Sequence, residues 1–170
     1  DTWNILLHIR GKGGAGKSLC DLMKAMVDQN EIGFLRNNAQ EKFVLEDLYD
    51  KRFIIGAGVD ENLSLRRTVL CSMVAGQAMM MTNARKKRLI KFKPQLVLFG
   101  NTDIFKGKYE QKVTIDFPNM VQDDDKGRRL LAELPYILTR AIGMYLEFVR
   151  TRPRQSFWSV CPEFFRRKKA

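Results

Sequence analysis

The chain is short of several residue types, and each shortage excludes something. A single histidine, His8, occurs among 170 residues. It falls inside an apolar run, which assigns it to the core as a hydrogen-bonded side chain rather than to catalysis as a base. The three cysteines, Cys20, Cys71 and Cys161, stand too far apart for zinc-knuckle spacing, and an odd number closes no disulfide framework. A reduced, intracellular compartment is the expectation. Long hydrophobic runs are missing too. The longest, Val69 to Met81, is interrupted by Ser72 and Gln77 and falls short of the roughly 18 residues a membrane span needs, so no membrane-spanning helix is expected. No charged-then-apolar leader opens the chain, and no internal repeat or low-complexity linker divides it. Acidic residues are also scarce, 19 against 30 Lys and Arg, for a formal net charge of +11. That excess points to a polyanionic partner, nucleic acid first and an anionic membrane surface second.

What is present suits a globular protein. Hydrophobic residues at 45% and charged residues at 29% exclude a disordered or fibrous chain. The length suits one compact domain over residues 1–170, with residues 127–170 as a helical C-terminal part. Because Asp1 stands directly ahead of a strand-like run, the chain is expected to be a piece of a longer protein.

The pattern predicts an α/β fold. Asn4 to Ile9 is a nearly continuous apolar run, the mark of a buried parallel strand. A glycine-rich turn follows, and then Leu19, Leu22, Met23, Met26 and Val27 at helical spacing. Residues 31–38 read as loop and 43–49 as a short mixed segment. Phe53 to Ile55 and Gln95 to Phe99 read as further buried strands, and the alternating Val113 to Phe117 as a fourth. A helix is expected from Leu63 to about Met73. Met79 to Met81 and Leu89 to Phe92 flank Arg85, Lys86, Lys87 and Arg88, which reads as a two-stranded hairpin with a basic tip. The Asp123 to Asp125 run reads as helix-start charge ahead of a long helix to Val149, bent or split at Pro135. Phe157, Trp158, Phe164 and Phe165 lie in a basic tail, placed to stack on bases or to cover the long helix.

One motif carries chemistry by itself. Residues 11–18, Gly11, Lys12, Gly13, Gly14, Ala15, Gly16, Lys17 and Ser18, match G-x-x-x-x-G-K-[ST] in full. Glycines let backbone N–H groups curl around a β-phosphate, Lys17 reaches the β and γ oxygens, and the Ser18 hydroxyl ligates Mg²⁺. A helix starting there turns its positive dipole end to the anion. ATP and Mg²⁺ are therefore the expected ligands, on a strand–loop–helix of the P-loop type.

Beyond the P-loop, an ordered set of segments resembles the superfamily 3 viral helicases, most of all the helicase domain of poxvirus-type (nucleocytoplasmic large DNA virus) primase-helicases. The set is residues 48–55, 71–76, 96–101 and 113–117, followed by the Trp158, Pro162 and Phe164-Phe165 pattern. The resemblance implies an AAA+-like P-loop fold with a parallel-sheet core. It also implies assembly as a homo-hexameric ring that hydrolyses ATP and pulls single-stranded DNA through its centre, with a primase domain upstream. Such a protein works inside the host cell, in cytoplasm or nucleus, where viral DNA is replicated. It assigns Asn101 as the residue that senses the γ-phosphate. It sets Arg85, Lys86, Lys87 and Arg88 on a hairpin facing the pore, where their charge would track a sugar-phosphate backbone.

Two positions depart from the family pattern. Gly58 occupies the place of the acidic residue that activates water, with Asp60 and Glu61 two and three residues further on. A bulge at the glycines would let Asp60 or Glu61 serve, Asp60 as metal ligand. Gln111 and Lys112 replace the family's arginine pair, and lysine lacks the planar fork that fits a γ-phosphoryl group. Loss of an arginine finger slows hydrolysis by about 10³ to 10⁵. The alternative to an active helicase is thus a ring subunit that binds nucleotide and nucleic acid with weakened turnover. A small-metabolite kinase is a third reading, one that leaves the basic hairpin without a role.

Overall fold

In the computed structural model the described residues are 5–11, 17–83, 86–105, 111–117 and 125–151. Five strands form the main sheet: β1 (Leu6–Gly11), β2 (Ile32–Leu35), β3 (Phe53–Val59), β6 (Gln95–Gly100) and β7 (Lys112–Phe117). They lie in the order β2-β3-β6-β1-β7, and every pairing among them is parallel. Parallel strands need cover on both faces, which explains why β1, β3 and β6 read as apolar runs without alternation.

That cover comes from helices on opposite sides. On one face α1 (Lys17–Ala25) sets Cys20, Leu19 and Met23 against Ile9, Ile55, Val97 and Phe99. On the other, α2 (Glu41–Leu48) and α3 (Arg67–Ala75) contribute Val44, Leu45, Leu48, Leu70, Met73 and Val74. These meet Leu6, Ile54, Leu96 and Leu98. Right-handed crossovers account for the split: the chain runs from β1 to the far edge strand β2 along one face, then returns through β3 and β6 along the other. A parallel, doubly covered sheet of this kind is consistent with a P-loop or Rossmann-like fold.

Outside the main sheet, β4 (Met79–Asn83) and β5 (Lys86–Ile90) pair antiparallel. The expected basic tip is distributed differently: Lys86, Lys87 and Arg88 lie within β5, and Arg85 lies outside the described residues. Strand formation carries these residues because each pairs across to β4, from Asn83 to Met81.

Several other expectations are corrected. Residues 32–35, expected as loop, form edge strand β2 through its pairing with β3, a long-range contact that four residues of sequence do not announce. The mixed segment is helix α2, with Val44, Leu45 and Leu48 buried at helical spacing. Helix α3 begins only at Arg67, since Leu63 bridges to Asn37 and the Arg66 backbone N–H donates to the Glu41 carboxylate at 3.0 Å. The long helix divides in two as expected from Pro135, into α4 (Lys126–Ala132) and α5 (Leu134–Thr151), with Pro135 in the first turn of the second, where its fixed φ is tolerated. Asp125 occupies the N-cap of α4 without a side-chain capping bond. Asp123, Asp124 and the aromatic tail from Phe157 lie outside the described residues. Among the described residues no helix is long and apolar enough to cross a membrane.

Candidate functional site

Strand register sets the site. Arg10 pairs with Gly100, and Gly100 with Val59, so the carboxyl ends of β1, β6 and β3 stand level in three neighbouring strands. The residues that follow, Gly11, Asn101 and Asp60, leave the same edge of the sheet side by side. At roughly 4.8 Å between strands, β1 and β3 are about 10 Å apart. The crossovers from these strands also diverge to opposite faces here, and open α/β sheets hold ligands outside their carboxyl ends at such a point. Lys17 and Ser18 open α1 beyond Gly11, while the predicted phosphate-loop residues Gly13, Gly14, Ala15 and Gly16 lie outside the described residues.

The end of β3 is bulged. Its pairing with β6 shifts register between Ala57 and Val59, and Gly58 adopts φ +69°. A Cβ at Gly58 would meet nothing within 4 Å, so backbone conformation rather than space favours glycine. Gly100 is selected differently: a Cβ there would stand 2.5 Å from the Val59 carbonyl oxygen. Asn37, which the sequence reading passed over, braces the bulge. Its Nδ2 donates to the Gly58 carbonyl at 2.9 Å, and its Oδ1 lies 3.5 Å from the Asp60 N–H. An Asn two residues beyond a four-residue strand gives no signal in the sequence, because both partners are more than twenty residues away. Asp60 is half-buried and accepts from the Asn62 N–H at 2.7 Å; Glu61 is exposed, as is Asn101 in the bend after β6. Among the described residues no three His, Cys, Asp or Glu side chains form a metal cluster. A nucleotide-bound Mg²⁺ does not need one, since it takes one or two protein oxygens and fills its shell with phosphates and water. Asp60 brings one carboxylate to this edge of the sheet.

On the β7 side of β1, charges are paired. Arg10 makes a fork onto Asp116, Nε to Oδ1 at 2.6 Å and Nη2 to Oδ2 at 3.0 Å. The hydrogen bond holds the Asp116 carboxyl below the usual aspartate range. Lys112, at the start of β7, is only 8% exposed and donates to both Asp103 oxygens at 2.7 and 2.8 Å. Burial alone would raise Asp103, but hydrogen bonds from Lys112 and from the Phe105 N–H outweigh it and leave the carboxyl lowered. The ammonium also lies 5.5 Å from the Phe105 ring centre. Lys112, which the resemblance set at an arginine-finger position, thus has its charge engaged within its own chain, two residues beyond Asn101.

His8 corrects another expectation. It is fully buried, as predicted for a core residue, yet neither ring nitrogen has a hydrogen-bond partner among the described residues. Burial, then the charge of Lys112, lowers its pKa.

No family model and no curated protein matches the sequence. The fold is similar to solved structures of the C-terminal region of NrS-1, including one in its apo form over residues 305–718 of that protein and one in its A form. TM-scores are 0.55 to 0.57 at 16% identity. The similarity covers 79% of this chain and 34 to 36% of those chains, so the present chain spans about a third of the structures it matches.

Proposed function

We propose that this chain is the ATP-binding module of a viral-type replication motor that acts on single-stranded DNA. The observation that supports it best is the level alignment of three strand ends, which delivers the start of the P-loop motif, Asn101 and Asp60 to one edge. The fold shared with the C-terminal region of NrS-1 agrees with this reading. Within this reading Lys17 binds the β and γ oxygens of ATP, and Ser18 and Asp60 hold Mg²⁺. The cation, when bound, neutralises phosphate charge. Asn101 senses the γ-phosphate, and Asp60 or Glu61 orients the attacking water, so that catalysis proceeds by positioning and charge neutralisation. Arg85, Lys86, Lys87 and Arg88 hold the DNA backbone, and six copies in a ring similar to those of superfamily 3 helicases would line a channel with them.

A second reading has specific support. Gly58 stands in a conformation a glutamate rarely adopts, and Lys112 is engaged by Asp103. A module that binds ATP for assembly and turns it over slowly follows from both. ATP turnover measured with and without oligo-dT separates the two: stimulation by DNA supports the motor, and tight nucleotide binding without turnover supports the second. Lys17→Ala is expected to weaken ATP binding at least about tenfold; unchanged binding would overturn the site in either form.

A further inference from the structure

The β4–β5 pair has two faces of opposite character. Met79 and Met81 turn inward with Ile90, all buried in the core, Met81 at 2% exposure. Met80 and Leu89 stand directly opposite each other on the outer face, 58% and 65% exposed. Alternation along β5 puts Lys87 on that outer face beside Leu89. Lys87, Arg88 and Lys91 are exposed and make no ion pair among the described residues. No aspartate or glutamate occurs anywhere between Glu61 and Asp103, so nothing in this stretch of chain neutralises them.

Folding gains nothing from an exposed methionine and leucine here, since the inner face already anchors the strands. Two side chains are also too small a patch for a stable protein interface, which needs about 800 Å² from each partner. They match a flat apolar object of nucleobase size, and a methionine thioether makes favourable contacts with aromatic rings. Surrounding cations match phosphates. Resting on the reading that this chain engages single-stranded DNA, we propose that Met80 and Leu89 form a platform for the faces of unpaired bases, while Lys87 on the same face holds an adjacent phosphate. Bases in a duplex are stacked on one another and do not present their faces, so the platform selects single strands.

The two contacts differ in their response to salt. Phosphate contacts release counterions and weaken as salt rises; an apolar contact does not. The test is fluorescence anisotropy of the whole chain with labelled oligo-dT of about 20 nucleotides, an abasic strand and a duplex of the same length, across a salt series. Met80→Ser with Leu89→Ser is expected to weaken oligo-dT binding about tenfold at every salt concentration. The salt slope, the duplex affinity and the abasic-strand affinity should stay unchanged. Lys87→Gln should instead reduce the slope by about 0.7. Leu89→Trp should tighten oligo-dT binding, a gain that a misfolded protein would not give. If the parent protein binds oligo-dT but the double serine variant binds it equally well, the platform is wrong and the DNA reading stands. If the parent binds no oligo-dT even at low salt, both fall. A serine variant that changes the mass in light scattering while leaving DNA affinity intact would make the face a contact between copies and overturn the proposal.

Discussion

Two groups of basic residues in this protein have opposite fates. Beside β1, Arg10 and Lys112 each meet an aspartate within the chain, Asp116 and Asp103, at 2.6 to 3.0 Å. On β5, Lys87 and Arg88 belong to a segment without acidic residues and make no ion pair among the described residues. The residue types are similar; the surroundings differ. Paired cations hold the ends of β1 and β7 and the bend after β6 in place. Uncompensated cations keep their charge for a polyanion. A net charge of +11 says nothing about which arginines and lysines carry it outward, and the pairing does.

The largest test of this contrast is Asp103→Ala. It leaves the buried Lys112 ammonium without its partner, and breaking a buried pair costs about 3 to 5 kcal/mol. Asp103 is 39% exposed at its side chain, so water takes over part of the role and about 2 kcal/mol in urea unfolding is the expected loss. Adding Lys112→Met should recover most of it. A loss in the single variant no greater than that of a surface substitution, about 0.5 kcal/mol, would mean that Lys112 is free to act elsewhere.

His8→Leu comes next and has the opposite sign. Removing a buried imidazole whose two nitrogens are unpaired among the described residues should stabilise the fold by about 1 to 2 kcal/mol. It should also alter the pH profile. The folded pKa of His8 lies below its unfolded value of about 6.5, so its contribution is fully present above pH 6.5 and is lost as pH falls through the folded value. The parent protein should therefore lose stability on acidification below about 6.5, and the variant should lose less. Parallel profiles in thermal melts would contradict the assignment.

The smallest effect is expected at Asp116→Asn. Both partners of the Arg10 pair are well exposed, which limits the loss to about 0.5 to 1 kcal/mol in spite of the forked geometry. Asp116 is lowered, so this contribution exists above its unfolded value of about 3.9 and fades as pH falls through the folded one. Denaturant midpoints at pH 7 and pH 3 should differ in the parent by more than in the variant. A larger loss than this would mean that the fork is supporting the site and not merely bridging β1 to β7.

Legibility varied with the range of the interaction involved. The buried strands β1, β3, β6 and β7 were readable because each is a short apolar or alternating run with its own boundaries. The bulge at Gly58 was anticipated from glycines around a missing acidic residue, and it is present as a register shift with a positive φ. Strand β2, the brace from Asn37 and the pairing of Lys112 with Asp103 were not readable. Each depends on a partner brought close by a crossover or a turn, and neither residue of any pair carries a local mark of it. His8 was read as buried, which its neighbours dictate, but its missing hydrogen bonds depend on three strands at once.

From sequence alone came the P-loop motif after an apolar strand, the excess of positive charge and the helix–strand alternation, since all are properties of neighbouring residues. Only tertiary structure decided which strand ends stand level, which cations are neutralised and which face of β4–β5 meets solvent. Those outcomes rest on register, and a shift of one residue would turn Met80 and Leu89 inward and Met81 outward without altering a single letter of the chain.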